Sequence, residues 1–192
     1  MQYSAVIRRL HLLLALGITL QLVLSLVMEQ PRPGRVFTAF QATTFTVHEY
    51  VGLALFVTLV AHWVIVLSGQ ARNGLGHFFP WFSPPRLREL SREARAIARL
   101  RIGDPDEEIA LAGAVQGLGL IIALVLAVTG TTIYFGMAPD GAMSAAIRSV
   151  RTIHTTAAPL MWGFLAIHVA AVAVHLALRH RSILAIFRVR NA

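Results

Sequence analysis

The sequence predicts an all-α fold, a four-helix transmembrane bundle, and two observations lead to this prediction. Hydrophobic residues make up 56% of the 192 residues and charged residues only 14%, against about 45–50% and ~25% in soluble domains. The apolar residues are also grouped into four runs, each close to the ~20 residues that cross a bilayer as a helix. A chain of this length is expected to form one domain, so residues 1–192 are predicted to be a single membrane-embedded unit.

The four predicted spans are separated by short connections and one long loop. The spans cover about residues 10–28, 47–67, 109–134 and 152–178, and the long loop covers residues 69–108. The third span contains no charged residue and no histidine, whereas the other three contain histidines. No A-x-A-like cleavage site follows the first run, which is therefore interpreted as a retained helix and not as a signal peptide.

The arginines are distributed unequally between the two ends of these spans. All 17 basic residues are arginines, and thirteen lie on one side: two before the first span, seven between residues 72 and 101, and four after the last span. The other side has Arg32, Arg35, Arg148 and Arg151. The positive-inside rule therefore places both termini and the long loop in the cytoplasm, as expected for a bacterial inner-membrane protein. Membrane orientation then explains the net charge of +8, and no nucleic-acid partner is expected.

The long loop contains a basic segment, residues 86–101. Arginines recur there at positions 88, 92, 95 and 99 with apolar residues between them, a pattern typical of an amphipathic helix on an anionic membrane surface. A solvated linker helix is the alternative. An acidic cluster of Asp104, Asp106, Glu107 and Glu108 then precedes the third span, where the helix dipole favours negative charge.

Eight histidines are present, and six of them lie inside the predicted spans. An ionisable residue within a membrane is costly and is therefore a candidate functional residue. His48 and His62 are 14 residues apart, as are His154 and His168. Fourteen residues come within about 40° of four whole helical turns and rise by roughly 21 Å. Each pair is therefore expected to share one helix face, with its members near opposite membrane surfaces.

Imidazoles without cysteine or carboxylate partners in an apolar interior favour haem iron over a hydrolytic zinc site. The chain has no cysteine, which excludes disulfides, iron–sulfur clusters, thiolate ligation and the C-x-x-C-H attachment of c-type haem. Side chains on facing helices of a bundle commonly hold cofactors in its core. The sequence therefore predicts two non-covalently bound haem b groups between the helices, one near each membrane surface.

The residues alone favour one ligand pair and leave the second open. His48 and His154 are expected at similar depth and form the first pair. His168 belongs to the second pair, for which His11 is a candidate partner and His62 competes. His175 lies close to the headgroup level, where a structural or propionate-contacting role is expected, and His77 and His180 are expected to be solvated.

Several segments of the chain match a known pattern. They are Arg8-Arg9-Leu10-His11-Leu12, His48-Glu49-Tyr50-Val51-Gly52, Ile153-His154-Thr155, Ile167-His168-Val169, Phe79-Pro80-Trp81, Ala114-Val115-Gln116-Gly117-Leu118-Gly119 and Val128-Thr129-Gly130. In these segments the chain resembles the prokaryotic cytochrome b561 family and the related b-type cytochrome subunits of membrane-bound hydrogenases and formate dehydrogenases. The resemblance covers essentially the whole chain, with one departure: Leu12 stands where many members have a tryptophan.

The resemblance implies a specific ligand set and a function. It implies His48 with His154 for one haem and His11 with His168 for the other, and for His62 a place beside the haem or a contact with a propionate. Arg9 and Arg151 are candidate propionate contacts. No catalytic residue is implied. The resemblance further implies electron transfer between a quinone pool and a periplasmic partner, such as a c-type cytochrome or a dehydrogenase subunit, in a respiratory chain.

Two alternatives stay open at this point. One is a free-standing superoxide:quinone oxidoreductase, and the other is a non-haem membrane protein, such as a transporter, in which the histidines are structural. Contact with membrane lipid is expected in every case, and the sequence leaves a homo-oligomer open.

Overall fold

The computed structural model describes residues 4–68, 74–99, 101 and 110–187, and these residues form an all-α fold. Four helices are long and apolar enough to cross a membrane: α1 (Ala5–Val27), α2 (Ala39–Leu67), α5 (Ala110–Gly136) and α6 (Ala145–Ala177). Two shorter helices, α3 (Gly74–Phe78) and α4 (Pro84–Ala98), lie between α2 and α5. Short 3-10 helices cover Pro80–Phe82 and Arg181–Phe187. The predicted all-α transmembrane fold is confirmed.

Three of the long helices begin well before the apolar runs that predicted them, because capping residues decide where a helix starts. Ser4 and Ser144 accept hydrogen bonds through their hydroxyl oxygens from the amides of Ile7 and Ile147. At the start of α2, the backbone N–H of Gln41 donates to Thr38 Oγ1, and the backbone N–H of Thr38 donates to Gln41 Oε1. This reciprocal arrangement is a capping box. Arg148 and Arg151, predicted to precede the last span, consequently lie in the first two turns of α6.

Large apolar side chains on these helices are exposed on the protein surface, as membrane-spanning helices require. Examples from the four long helices are Leu16, Val57, Phe135 and Ile167, each more than 60% exposed. These side chains contact lipid in a membrane. Pro159 lies inside α6 and removes one backbone N–H donor there, which transmembrane helices tolerate.

The chain forms two compact units, and each long helix contributes residues to both. Unit 1 comprises residues 1–9, 62–121 and 163–192, and unit 2 comprises residues 10–61 and 122–162. The core of unit 2 includes Leu22, Leu59 and Met161, which are almost fully buried.

Two loops of unit 2 are held together by close backbone packing. The turn between α5 and α6 pairs Met137 with Met143 in an isolated bridge and contains Gly141, whose φ is +84°. A Cβ at Gly141 would collide with the carbonyl oxygen of Pro31 in the preceding loop. Glycine is therefore required at position 141 for both its backbone conformation and its close contact.

In unit 1, the segment from α3 to the following 3-10 helix packs directly on α5. A Cβ at Gly113 would collide with the carbonyl oxygen of His77, and one at Gly117 with that of Phe78. Two glycines one turn apart thus let this segment's backbone lie against the helix. Phe79 stacks on Trp63 of α2, with ring centroids 5.9 Å apart.

Helix α4 is joined to the start of α5 by a carboxylate. Glu93 Oε1 accepts a hydrogen bond from the Ala110 amide (3.1 Å), and Oε2 accepts one from the Leu111 amide (2.7 Å). The first amides of a helix have no partner within it, so Glu93 acts as their cap. The acidic cluster expected to occupy this position, residues 104–108, lies outside the described residues.

Candidate functional site

His48 of α2 and His154 of α6 face each other in unit 2. Their ring centroids are 6.5 Å apart, and the ring planes are inclined by 83°. Both positions lie within membrane-length helices. The structure thus brings the rings of these two predicted site residues together.

Helix α5 orients the His154 ring. His154 Nδ1 lies 2.9 Å from Thr129 Oγ1, and that hydroxyl also lies 2.6 Å from the carbonyl oxygen of Val125. A hydroxyl has one proton. If Thr129 Oγ1 donates this proton to the carbonyl oxygen of Val125, then Oγ1 accepts a hydrogen bond from Nδ1–H of His154. The hydroxyl, the carbonyl oxygen and Nδ1 then each have a hydrogen-bond partner. The Nε2 lone pair of His154 is then available to a metal, and its ring orientation is fixed.

Gly130, the next residue of α5, provides the space that His154 occupies. A Cβ at this position would lie 3.1 Å from Cε1 of His154, closer than ordinary van der Waals contact. A larger side chain would therefore displace the imidazole.

His48 is positioned mainly through its backbone. Gln21 of α1 donates a hydrogen bond from Nε2 to the His48 carbonyl oxygen at 2.7 Å, and Gly52 packs against the same amide group, where a Cβ would lie 2.8 Å from Nε2. Nδ1 of His48 is buried and has no hydrogen-bond partner within the described part of the chain. A buried polar atom without a partner is costly, unless the ring serves another purpose such as ligation.

The His48–His154 pair fits a six-coordinate haem iron. A metal–imidazole bond of about 2.0 Å and a distance of roughly 1.1 Å from ring nitrogen to ring centroid place two trans imidazole centroids about 6.2 Å apart. The observed 6.5 Å is close to this value. His48 and His154 would therefore supply the two imidazole ligands of a bis-histidine haem.

The other predicted ligands lie as follows. His11 is on α1 within unit 2, whereas His62 and His168 are on α2 and α6 within unit 1. Nδ1 of His62 is buried and lacks a hydrogen-bond partner among the described residues. The His168 ring stacks on Phe164, with centroids 5.6 Å apart, and Gly119 of α5 leaves room for the Phe164 ring. The choice between His11 and His62 stays a prediction.

A polar cluster lies one helical turn from His154. Arg151 donates a hydrogen bond from Nε to Gln30 Oε1, and Gln30 Nε2 lies 3.4 Å from the sulfur of Met137 and 3.9 Å from that of Met143. Gln30 therefore holds the Nε side of the Arg151 guanidinium. Arg9, the other predicted propionate contact, is exposed in the second turn of α1.

The two histidines that were expected to be solvated, His77 and His180, differ from expectation. His77 was expected to be solvated, and this is wrong: it is only 7% exposed, because its segment packs against α5. His175 and His180 form a pair with their Nδ1 atoms 3.1 Å apart, so His180 is not simply a solvated loop residue, and His175 has a structural contact.

Sequence reasoning from spacing did not identify Thr129, Gln21 or Gln30 as neighbours of the site. Their polar character inside or beside apolar spans is the signal that could have marked them. Gly130 was noted only as part of a matching segment.

Comparison with known proteins gives one finding. A family model described as prokaryotic cytochrome b561 matches residues 2–188. The searches of curated proteins and of solved structures gave no match.

Proposed function

Since this chain belongs to the prokaryotic cytochrome b561 family, we propose that it holds two haem b groups and passes electrons across the bacterial inner membrane. Membership of the family shows the general function: the protein is a b-type membrane cytochrome that binds haem b and takes part in electron transfer. Because the family binds haem, the alternative of a non-haem transporter is set aside. The proposed electron partners are the quinone pool and a periplasmic c-type cytochrome or dehydrogenase subunit.

The facing pair of His48 and His154 is the single observation that supports this proposal best. Their centroid separation of 6.5 Å suits two imidazoles on one iron. Two histidine ligands would leave the iron no position for oxygen, which would favour electron transfer over oxygen activation. When bound, the haem supplies a one-electron carrier.

The residues around this pair have separate roles in the proposal. Thr129 keeps a proton on Nδ1 of His154 and so directs Nε2 toward the iron, while Gly130 leaves the space that the ring needs. Arg151, held by Gln30, neutralises a propionate charge at this end of the site. Exclusion of water by the apolar helices limits solvent reorganisation around the transferred electron.

The second haem is proposed to bind between His11 and His168, the pairing that the family pattern implies. His62 is proposed to lie beside this second haem without binding its iron. His175 is assigned a structural or propionate-contacting role. Arg9 is proposed to neutralise a propionate on the cytoplasmic side. The arginine asymmetry supports this orientation, with Arg148 and Arg151 on the periplasmic side.

The test is the haem stoichiometry of purified wild-type protein and four variants, measured by pyridine haemochrome assay together with low-temperature absorption spectra. We expect two haem b groups per wild-type chain. His48→Ala and His154→Ala should each lose the same haem, and His11→Ala the other, whereas His62→Ala should retain two low-spin haems. One haem or none per wild-type chain would contradict the two-haem proposal. Loss of a haem in His62→Ala, with both retained in His11→Ala, would exchange those two assignments.

A further inference from the structure

Helix α4 and the residue that follows it, Arg99, present four arginines on one exposed face. Arg88, Arg92, Arg95 and Arg99 are separated by four, three and four residues, which keeps them within about 60° of one another around the helix. All four side chains are exposed. We define these four residues as the arginine face. The helix thus concentrates positive charge toward its surroundings and away from the protein.

A second observation establishes the depth of α4 relative to a membrane. Glu93, near the middle of α4, caps the amides of Ala110 and Leu111, the first residues of α5. Helix α5 is a membrane-length apolar helix, and the end of such a helix lies where the hydrocarbon core meets the lipid headgroups. The two hydrogen bonds therefore hold the middle of α4 at the headgroup level.

Apolar side chains on other faces of the helix are exposed as well. Leu87 is 42% exposed and Ile97 46% exposed, and Phe82, just before the helix, is 83% exposed. Leu87 and Ile97 lie about 110° and 170° from the centre of the arginine face. A helix with a basic face and exposed apolar side chains on its other faces is typical of one that lies in the plane of the membrane interface.

We propose that the arginine face of α4 binds the phosphates of anionic phospholipids, such as phosphatidylglycerol. The planar guanidinium group binds phosphate oxygens through paired hydrogen bonds, and anionic lipid attracts basic residues near its surface. The depth set by Glu93 favours a lipid over an acidic protein partner, because it brings the arginines to the headgroups. This proposal does not depend on how many haems the protein holds.

The experiment uses the full-length protein in detergent, titrated with phosphatidylglycerol or phosphatidylcholine and observed by native mass spectrometry. In the test variant all four arginines of the arginine face are changed to Gln. Each arginine is expected to contribute about fivefold to affinity for anionic lipid at low salt. We therefore expect the apparent Kd for phosphatidylglycerol to rise at least tenfold, with the Kd for phosphatidylcholine unchanged. Added salt should weaken binding of the wild-type protein to phosphatidylglycerol only.

A matched pair of double variants separates location from total charge. Arg92→Gln with Arg95→Gln removes two charges from α4, and Arg32→Gln with Arg35→Gln removes two from another loop. We expect only the first pair to weaken binding of phosphatidylglycerol. Haem absorption spectra of every variant verify that the fold is kept.

Three results would overturn the proposal. The first is an unchanged phosphatidylglycerol Kd in the fourfold variant, and the second is an equal loss in both double variants. The third is an unchanged lipid affinity combined with a loss of affinity for a polyglutamate peptide, which would identify the face as a docking surface for an acidic protein.

Discussion

The His154 imidazole is surrounded by neighbours that could each be changed without removing the histidine itself. Thr129 contacts Nδ1 at 2.9 Å, and Gly130 faces Cε1 with no side chain between them. Haem binding at such a site is expected to depend on the volume of these neighbouring side chains as well as on the histidines, because the His154 ring must stay opposite His48.

Gly130→Val is accordingly expected to reduce haem binding at the His48–His154 site. The first added carbon would already lie 3.1 Å from Cε1 of His154, and the two methyl groups of valine would push the ring out of line. Haem content should fall from two toward one per chain, measured by pyridine haemochrome assay. Gly163→Val is the matched control, since nothing lies within 4 Å of a Cβ at Gly163, and it should retain both haems. Full haem content in Gly130→Val would show that the ring has more freedom than the contact indicates.

Gln30 is expected to influence the reduction potential of the same haem through Arg151. A positive charge near a propionate stabilises the reduced, more negatively charged state. Gln30→Leu frees the Arg151 guanidinium from its hydrogen bond, so the potential of this haem should fall by roughly 20–60 mV, which corresponds to about 0.5–1.4 kcal/mol for one electron.

Redox titration followed by absorption measures this change. Gln41→Leu is the control in the same unit, because the Gln41 side chain donates to Glu29 and accepts from Thr38, and no arginine donates to it in the described hydrogen bonds. An equal shift in both variants, or none in Gln30→Leu, would argue against a role for Gln30 in holding Arg151.

The histidine pair could be predicted from the sequence, and most of its neighbours could not. His48 and His154 were identified by spacing and depth, both of which depend only on helix geometry. The contacts of Thr129 and Gln30 depend on which helix faces pack together and on how two loops meet, and one sequence contains no such information. His77 was misplaced for the same reason, since its burial results from glycines in a later helix.

At the scale of helices, polar side chains decide where several elements begin. The capping interactions of Ser4, Thr38 and Ser144 extend α1, α2 and α6 beyond their apolar runs. An apolar run gives the length of the part of a helix that lies in lipid. It therefore underestimates the length of a helix that continues beyond the lipid. The sequence contains the capping signals, notably the Thr38–Gln41 box, so this part of the difference was open to prediction.

The Glu93 cap on α5 leads to a prediction about the stability of this helix end. Each carboxylate oxygen of Glu93 accepts one amide hydrogen bond, whereas a glutamine offers one oxygen and one NH₂ group. In Glu93→Gln one amide therefore loses its acceptor, at a cost of about 1 kcal/mol. The amides of Ala110 and Leu111 should then exchange hydrogen roughly fivefold faster, as measured by mass spectrometry.

Glu89→Gln is the matched control for this prediction, because Glu89 lies on the same helix with an exposed side chain. It should leave exchange at the start of α5 unchanged. Similar rates in wild type and Glu93→Gln would mean that these amides have another acceptor of equal strength.

At the scale of the whole molecule, the number of spans and the arginine asymmetry together predict topology. Four membrane-length helices among the described residues predict that both termini lie on the same side, and the excess of arginines predicts that this side is the cytoplasm. Alkaline phosphatase fused after the last residue should therefore be inactive, and green fluorescent protein at the same place should be fluorescent. The reverse pattern would invert the orientation and, with it, the proposed sides of the two haems.

The close packing of His77 and Phe78 on Gly113 and Gly117 also has a consequence in time. The segment that contains His77 and Phe78 is synthesised before the helix that receives it, so it must wait for α5 to enter the membrane. Until then the backbone of this segment lacks the helix against which it packs. Insertion of α5 therefore allows this packing to form during biogenesis, and a delay in translation between residues 82 and 110 would prolong the interval before it does.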